Sequence, residues 1–369
     1  MKAIALRKGA QDVELVDLPK PVPGAGEVLV KIIRCGLCGT DREIIRRGIP
    51  DVPPGEAFLV LGHEGLGRVV ELGTKTKTSL RPGDLVTIMV RRGCGLCNAC
   101  QTGHVDYCYT GQYTERGIHK AHGFFTEYIV EEPGYLVPVP PGLEDIGVLA
   151  EPMSVSAKAY QVAASLMGRV CFDGACSFRG RREKALVAGH GPIGVLAALL
   201  LLVEGFDVSV LGRRETGDPQ RAFLESFGIR YLNAARDEDR TVVEKEGGVF
   251  LIIEATGLAE LTFRLPALLG RNGILVLTGV PRGPQEIRLD GNRLMASLVR
   301  YNQTITGTVN ASRDNFEMAL RYLEAFKNQD PRIASRILTG RYTLSNWRDA
   351  FAPKSKDEIK AVIEFEPAA

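Results

Sequence analysis

The sequence predicts an α/β protein with two domains, one rich in β-strands and one built on a doubly wound parallel sheet. The length of 369 residues favours two domains, or one domain with a large insertion. Short apolar or alternating runs, separated by proline and glycine turns, fill residues 13–89. Apolar strands then alternate with helical patterns over residues 185–306, which is typical of a parallel sheet with helices on both faces.

The β-rich part begins the chain. Turns at Pro21–Gly24 and Arg81–Asp84 separate its strands, and a helical pattern closes it at Leu149–Leu166. The predicted strands are Val13–Val16, Glu27–Ile32, Gly67–Gly73, Asp84–Met89 and Phe124–Val130. The polar, glycine-containing segment Cys171–Arg182 predicts a boundary, which gives one domain of residues 1–181 and 310–369 and another of residues 182–309.

The second domain is predicted from its alternation of patterns. Its strands are predicted at Ala185–Ala188, Asp207–Leu211, Val249–Ala255, Ile274–Leu277 and Thr304–Thr306. Its helices are predicted at Ile193–Glu204, Pro219–Phe227, Leu258–Leu269 and Asn292–Tyr301. A helix at Asp314–Phe326 and strands at Ser335–Tyr342 and Ala361–Phe365 are expected to return the chain to the first domain.

Composition excludes several classes of protein. With 46 basic and 44 acidic residues the net charge is +2, and no basic block is long enough to predict nucleic acid or an anionic membrane as a partner. The N-terminus has no signal-peptide pattern, and the longest apolar run, Ile193–Val203, is too short to span a bilayer. Eight cysteines in such a chain favour metal binding and a cytoplasmic location over a disulfide framework.

Four cysteines are concentrated in one glycine-rich loop. Cys94, Cys97, Cys100 and Cys108 follow the spacing Cys-x2-Cys-x2-Cys-x7-Cys. Four thiolates this close can occupy all coordination positions of one tetrahedral Zn2+, which predicts a structural site without room for substrate. The alternatives are two disulfides or chance clustering.

A glycine turn predicts a dinucleotide site. An apolar strand leads into Gly189-His190-Gly191-Pro192-Ile193-Gly194, which opens an apolar helix, and a second strand follows. In such a unit the glycines permit the tight turn, the approach of a pyrophosphate and close helix packing. The alternative is a glycine-rich turn without a ligand.

The end of the second strand predicts which nicotinamide nucleotide binds. NAD-binding units place Asp or Glu there, whereas this chain has Gly212 followed by Arg213 and Arg214. Two guanidinium groups suit a 2′-phosphate, so NADP is predicted to be preferred, with NAD tolerated. The alternative is that both arginines form a solvated loop face.

A second metal site is predicted further upstream. Cys38 and His63 provide the mixed sulfur and nitrogen ligands of a catalytic zinc that keeps one position open. Either Glu64 or Glu151 can complete the site. The alternative is a buried cysteine and a packed histidine without a metal.

The chain resembles the zinc-containing medium-chain dehydrogenases in motifs that occur in the family's order: Cys38-Gly39-Thr40-Asp41, Gly62-His63-Glu64, the four-cysteine loop, Glu151-Pro152 and Gly189–Gly194. The resemblance covers essentially the whole chain. It implies a GroES-like β-rich catalytic domain joined to a Rossmann domain, a homodimer or homotetramer, and two zinc ions per chain.

A narrower resemblance links the chain to archaeal-type glucose dehydrogenases, through Glu115–His119, Gly123-Phe124, Gly212–Arg214 and Gly307–Asn310. It implies a catalytic set of Cys38, Thr40, His63, Glu64 and Glu151, and a substrate-binding set of Thr40, Glu115, Glu151 and Asn310. It implies that the nucleotide contacts Gly189, Gly191, Pro192, Ile193, Gly194, Arg213, Arg214, Thr278 and Asn310.

The leading hypothesis is therefore a zinc-dependent, NADP-preferring aldose 1-dehydrogenase that oxidises D-glucose to its lactone. Zinc is expected to lower the pKa of a substrate hydroxyl, and Thr40 to pass its proton on. Alternatives are a polyol or amino-alcohol dehydrogenase on the same scaffold and a non-catalytic nucleotide-binding protein. The preferred aldose is not fixed by the sequence.

Several residues outside these motifs also bear on the chemistry. Glu43 stands where alcohol dehydrogenases carry a relay histidine, so the proton path beyond Thr40 is open. His119 and His122 are interpreted as ordinary loop residues. Cys171 and Cys176 have no assigned role, and unpaired thiols are favoured over a redox pair.

Overall fold

The computed structural model describes residues 1–172, 175–176, 183–236, 243, 247–281, 283–353, 355 and 357–365. The chain forms two compact units, Met1–Ser154 with Asn310–Ala369 and Val155–Val309. No helix among the described residues is long and apolar enough to span a membrane.

The first unit is dominated by β-structure. Its strands are β1 Lys2–Arg7, β2 Glu14–Asp17, β3 Val28–Leu37, β4 Phe58–Val60, β5 Glu64–Leu72, β6 Leu85–Ile88, β7 Arg91–Arg92, β8 Thr114–Arg116, β9 Lys120–Ala121, β10 Tyr128–Glu131, β11 Leu136–Pro138, β20 Gly340–Thr343 and β21 Ala361–Glu364. Its helices are α1 Gly39–Arg47, α2 Asn98–Gln101, α8 Arg313–Gln329, α9 Ile333–Ile337 and α10 Trp347–Phe351. Helix α3, Ala150–Met167, begins in this unit.

The longest strand of this unit, β3, is its organising element. It is almost entirely buried, and it pairs antiparallel with β5, β10 and β21. The sheet runs in the order β11-β6-β5-β3-β21-β20, so the C-terminal strands complete a sheet begun by residues near the N-terminus. Phe124 and Phe125 are fully buried in its core. Burial of each such ring contributes roughly 1.5–3 kcal/mol.

The second unit contains the parallel sheet. Its strands are β12 Cys171–Phe172, β13 Ala175–Cys176, β14 Lys184–Ala188, β15 Asp207–Gly212, β16 Arg230–Asn233, β17 Val249–Glu254, β18 Leu269–Leu277 and β19 Thr304–Gly307. Its helices are α4 Pro192–Val203, α5 Pro219–Glu225, α6 Ala259–Thr262 and α7 Gly291–Arg300. Five short 3-10 turns lie in the described part of the chain, at Val105–Tyr107, Pro133–Tyr135, Gly147–Leu149, Gly168–Val170 and Leu265–Leu268.

The order of the parallel sheet is β16-β15-β14-β17-β18-β19, and all neighbouring strands are parallel. Read along the chain this is the order 3-2-1-4-5-6, which has its switch point beside β14 and binds nucleotides there. The buried apolar runs of β14 and α4 explain the arrangement, since a parallel sheet is covered on both faces.

Most predicted elements are confirmed within a few residues, but two are wrong. The strand predicted at Ser335–Tyr342 is helix α9 followed by β20, and the burial of Ile333, Ala334 and Ile337 follows a helical spacing. The single helix predicted at Leu258–Leu269 is α6 and a separate 3-10 turn, with Pro266 at the start of that turn.

The predicted boundary segment Cys171–Arg182 lies largely outside the described residues. Within it, the backbones of Cys171 and Cys176 pair in the β12–β13 hairpin. Cys171 is disulfide-bonded, so the prediction of unpaired thiols is wrong for this residue.

Candidate active site

Three potential metal ligands converge in the first unit. Cys38 precedes α1, whereas His63 and Glu64 stand at the start of β5, and one ligand atom from each lies within 4.8 Å of the others. His63 and Glu64 are buried, and Cys38 is half-buried. A thiol, an imidazole and a carboxylate form a donor set that suits Zn2+.

Asp41 aligns two of these ligands. Its carboxylate is fully buried, accepts the N–H of Cys38 at 2.8 Å and the N–H of Gly62 at 3.1 Å, and lies 3.4 Å from Nδ1 of His63. Nδ1 therefore faces Asp41, which leaves Nε2 for a metal. Burial lowers the pKa of His63, but the charges of Asp41 and Cys38 outweigh it and hold that pKa well above its usual range. The pocket is thus built to hold a cation.

Glu64 already has a cationic partner. Its carboxylate forms an ion pair with Lys360, and both side chains are buried. Lys360 also donates to the carbonyl oxygen of Leu37 at 3.1 Å. Gly36 lies opposite Glu64 in the sheet, and a Cβ there would be 1.9 Å from Oε2 of Glu64. The glycine thus makes room for this carboxylate.

Glu151 lies in the first turn of α3, outside the group of Cys38, His63 and Glu64. Burial raises the pKa of its carboxyl to about 7; the positive charges of His63 and Lys360 lower that pKa, and the charge of Glu64 raises it. Glu151 is half-buried, and a bound divalent cation would offset the cost of ionising its carboxyl.

Thr40 is an exposed residue near the start of α1, and its Oγ1 lies 3.7 Å from Sγ of Cys38. The other candidates for a proton path are engaged elsewhere. Glu43 binds Arg46 and Arg47, which lower its pKa to about 2. His119 pairs with Asp51, whereas His122 stacks on Phe58.

Glu115 is held by contacts to one of its two oxygens. Arg91 donates to Oε1 from Nη2 at 2.9 Å and from Nε at 3.1 Å, and Asn310 donates to the same atom. Among the described residues, no hydrogen bond reaches Oε2. This buried carboxylate therefore offers one oriented acceptor oxygen to a ligand.

The turn after Glu115 packs directly on the turn before His63. Cβ atoms at Gly117 and Gly123 would lie 2.3 and 2.1 Å from the carbonyl oxygen of Gly62, so only glycine permits this approach. The backbone N–H of Phe124 also donates to that oxygen at 2.7 Å. The metal-ligand group and the Glu115 turn are thus parts of one packed structure.

The four-cysteine loop brings its sulfurs together as the spacing predicts. The sulfurs of Cys94, Cys97, Cys100 and Cys108 all lie within 4.8 Å of one another. The N–H groups of Leu96 and Cys97 each lie 3.4 Å from Sγ of Cys94. A Cβ at Gly93 would lie 2.3 Å from Sγ of Cys100.

The thiols of this loop differ in acidity. Hydrogen bonds from Thr110 and from the Cys97 and Leu96 amides lower the pKa of Cys94 to about 6. Burial and the neighbouring thiols raise the pKa of Cys100 to about 12. One thiol readily carries negative charge while a neighbour resists it, and a divalent cation would let all of them ionise.

The glycine turn of the second unit has the shape of a phosphate cradle. Gly189 has φ +119°, and a Cβ at Gly194 would lie 2.1 Å from the carbonyl oxygen of Gly189. A Cβ at Gly191 would meet nothing within 4 Å, so the space above it is open. Pro192 and Ile193 begin α4, and since proline has no N–H, Ile193 and Gly194 supply the first N–H groups at this helix N-terminus. The turn therefore fits a dinucleotide.

The remaining nucleotide candidates lie at the ends of neighbouring strands. Arg213, just beyond β15, is exposed, whereas Arg214 is half-buried and forms an ion pair with Asp218 at 3.1 Å. The hydroxyl of Thr278, just beyond β18, donates to the carbonyl oxygen of Glu254 at 2.7 Å.

Sequence reasoning missed several residues that shape these sites. Lys360 and Arg91 fix the two carboxylates Glu64 and Glu115, and Tyr231 lies beside Gly212. No local pattern marks them, because each reaches its partner through the fold. Asp41 carried a signal, since it ends the Cys38–Asp41 motif.

Comparisons with known proteins show the family of the chain. Residues 144–365 match the family model described as glucose dehydrogenase C-terminus, and residues 24–141 match the alcohol dehydrogenase GroES-like domain. The glucose 1-dehydrogenase of Methanocella arvoryzae is 37% identical over 99% of both chains. Glucose 1-dehydrogenase 1 of Caldivirga maquilingensis is 36% identical over 100% of this chain and 99% of its own.

A solved structure is similar over its whole length. The Haloferax mediterranei glucose dehydrogenase in complex with NADP, Zn and gluconolactone is 31% identical, covers 100% of both chains and superposes with a TM-score of 0.88. The predicted fold class, a GroES-like domain with a Rossmann domain, is confirmed.

Proposed function

The chain belongs to the glucose dehydrogenase family, and from this premise we propose that it is a zinc-dependent aldose 1-dehydrogenase that prefers NADP and oxidises D-glucose to gluconolactone. The observation that carries this proposal is the packing of the Glu115 turn on the turn that leads into His63. It joins a group of metal ligands to an oriented carboxylate suited to a polyhydroxylated substrate.

Zinc, when bound, supplies a Lewis acid for a substrate hydroxyl, and NADP supplies the hydride acceptor. Cys38 and His63 are proposed as two protein ligands, with Glu151 as the third. Glu64 is proposed to stay with Lys360, whose ion pair already neutralises it. Burial raises the pKa of the Glu151 carboxyl to about 7, so a bound cation would favour its ionised form.

Thr40 is proposed to relay the proton of the reacting hydroxyl: Oγ1 accepts that proton while the threonine's own hydroxyl proton leaves to solvent. Thr40 is exposed, and its Oγ1 lies 3.7 Å from Sγ of Cys38. Oε2 of Glu115 is proposed to accept from a second sugar hydroxyl, and Asn310 to bind there through its amide oxygen. A site that hydrogen-bonds hydroxyls discriminates strongly against substrates that lack them.

The nucleotide is proposed to bind the second unit through one set of residues. The pyrophosphate would lie on the α4 N-terminus and the 2′-phosphate near the two arginines. The set that the resemblance implies is Gly189, Gly191, Pro192, Ile193, Gly194, Arg213, Arg214, Thr278 and Asn310. For the domains we propose the boundary that the sequence predicts, with residues 182–309 for the nucleotide and residues 1–181 with 310–369 for catalysis, whereas the compact units divide the chain after Ser154.

A second, structural zinc is proposed in the loop of Cys94, Cys97, Cys100 and Cys108, which makes two ions per chain. Supporting this, the four sulfurs already lie at distances that one ion can bridge.

A homodimer or homotetramer in the cytoplasm is also proposed. Strand β19 ends the parallel sheet and offers an open edge, and Met295 and Val299 of the adjacent helix α7 are exposed. Neither nucleic acid nor a membrane is proposed as a partner.

The decisive experiment assays zinc-loaded protein on a panel of aldoses, sorbitol and threonine with NADP and with NAD. D-glucose with NADP should give a higher kcat/KM than sorbitol or threonine does. A preference for sorbitol or threonine would contradict the proposal and favour a polyol or amino-alcohol dehydrogenase. Tight nucleotide binding without any turnover would favour a non-catalytic protein.

A further inference from the structure

Gly212 ends β15 at the position where NAD-binding sheets carry a carboxylate, and the space beside it is filled. A Cβ on Gly212 would lie 2.0 Å from the hydroxyl oxygen of Tyr231 and 2.4 Å from Nδ1 of His190. Tyr231 belongs to β16, the strand that pairs with β15, and only 6% of it is exposed. Any side chain at residue 212 must therefore displace this tyrosine.

The hydrogen bonds around Tyr231 define where its proton can go. Nε of Arg214 donates to Nε2 of His190 at 3.3 Å, so a neutral imidazole carries its proton on Nδ1. Nδ1 lies 3.2 Å from the Tyr231 oxygen and donates to it in this tautomer, and the backbone N–H of Arg214 donates to the same oxygen at 3.0 Å. Both acceptor positions of the oxygen are then used. Among the described residues, none accepts the hydroxyl proton of Tyr231.

The side chains around the Tyr231 hydroxyl favour binding of an anion. Arg213 is exposed and directly precedes Arg214, whose N–H donates to this hydroxyl. The guanidinium of Arg221 lies 5.2 Å from the centre of the Tyr231 ring. Arg214 is positioned by His190 and by Asp218. A hydroxyl that must donate, surrounded by arginines at the end of β15, matches the chemistry of a phosphate monoester.

We infer that Tyr231 determines cofactor specificity: its hydroxyl donates to the 2′-phosphate of NADP, and its ring, with His190, excludes the carboxylate that would bind a 2′-hydroxyl. This inference rests on the proposed nucleotide site. It goes beyond the arginine pair, because it explains why a carboxylate at residue 212 cannot simply be introduced to create an NAD enzyme.

The first test is Tyr231→Phe in the full-length protein, with dissociation constants of NADPH and NADH measured by nicotinamide fluorescence. The variant keeps the ring and loses only the hydroxyl. The Kd of NADPH should rise about tenfold while that of NADH stays unchanged, since a hydrogen bond to a charged group is lost. The Kd of adenosine 2′,5′-bisphosphate, which carries the 2′-phosphate, should also rise in this variant. The Kd of 5′-AMP, which lacks it, should stay unchanged.

Tyr160→Phe is the matched control. Its hydroxyl also belongs to the second unit, but it donates to Glu204 at 2.5 Å. This variant should leave both dissociation constants unchanged. The inference is overturned if Tyr231→Phe alters NADPH and NADH equally or alters neither.

The second test concerns the excluded carboxylate. Gly212→Asp alone should weaken both nucleotides, because its Cβ overlaps the Tyr231 hydroxyl. Gly212→Asp with Tyr231→Ala should bind NADH more tightly than Gly212→Asp alone, since the double variant lacks the hydroxyl that lies nearest to the added Cβ. If Gly212→Asp alone tightens NADH binding as much as the pair does, Tyr231 does not exclude the carboxylate.

These binding measurements need no sugar, so the two proposals can fail separately. Selective binding of NADP without glucose oxidation would contradict the proposed reaction and leave the role of Tyr231 standing. A wild-type protein that binds neither dinucleotide would overturn the nucleotide site and this inference together.

Discussion

Glu115 depends on Arg91 for its orientation, because both nitrogen contacts of that guanidinium fall on Oε1. The same arginine lies 4.0 Å from the centre of the Tyr113 ring and donates to the carbonyl oxygen of Asp106 at 2.9 Å. A planar guanidinium held on three sides fixes the carboxylate more firmly than an ammonium could. Arg91 thus sets the orientation of the Glu115 oxygen that is proposed to accept from the substrate.

Arg91→Met should raise the KM for glucose by roughly tenfold and leave the NADPH dissociation constant unchanged, because Glu115 loses its orientation but the nucleotide unit is untouched. Steady-state kinetics and fluorescence titration measure the two quantities. Arg341→Met is the control, since it removes an ion pair to Glu364 at 2.8 Å in the same unit. An unchanged KM in Arg91→Met would show that Glu115 does not bind substrate in this way.

The two carboxylates near His63 should respond differently to neutralisation. Glu151→Gln should lower the zinc content from two ions per chain towards one, because it removes the proposed third ligand. Glu64→Gln should retain both ions, because the carboxylate of Glu64 is occupied by Lys360. Metal analysis after dialysis decides between them, and the reverse pattern would make Glu64 the ligand.

Lys360→Met should destabilise the metal-free protein by about 3–5 kcal/mol, because it leaves the buried carboxylate of Glu64 without its partner. Adding Glu64→Gln should restore much of the loss. Urea denaturation measures both. If the single variant is as stable as the wild type, the ion pair does not hold this part of the fold.

At the scale of elements, the four-cysteine loop does more than close a turn. Asp106 lies between Cys100 and Cys108, and its carbonyl oxygen receives the hydrogen bond from Arg91. The loop is therefore linked through one arginine to Glu115. A change in the loop is expected to alter the position of Glu115, the carboxylate proposed to bind sugar, without acting through Cys38 and His63, the proposed metal ligands.

Cys97→Ser should remove one zinc per chain, lower Tm and raise the KM for glucose, because the loop no longer fixes Arg91. The NADPH dissociation constant should not change. Leu96→Ala is the control in the same loop, as that side chain is exposed. A variant that loses the zinc and keeps the wild-type KM would show that the loop and Glu115 are not coupled.

The local sequence pattern predicts helices and strands well in long segments with a clear apolar periodicity, and poorly in short segments. The burial of β3, β14 and β17 follows from their apolar runs. The glycine turn after β14 is predicted by the spacing of its three glycines. Helix α9 has only 5 residues, and its sequence predicts a strand, because so short an apolar run does not distinguish helical from strand periodicity.

At the scale of the whole molecule, the sequence predicts the fold class and the ligand motifs because these reside in contiguous segments. Contacts between distant segments carry no such mark. Lys360 and Glu64 are 296 residues apart, and Tyr231 and His190 are 41 apart. Such pairs are formed by strand pairing and packing, so they become visible only in three dimensions.

The most direct measurement is the initial rate of NADPH formation from D-glucose by zinc-loaded wild type, Cys38→Ser and His63→Ala, with the NADPH dissociation constant measured beside it. The account predicts turnover by the wild type, loss of turnover in both variants, and the same NADPH affinity in all three proteins. Wild-type rates in either variant would contradict it, since the metal would then not be held by Cys38 and His63.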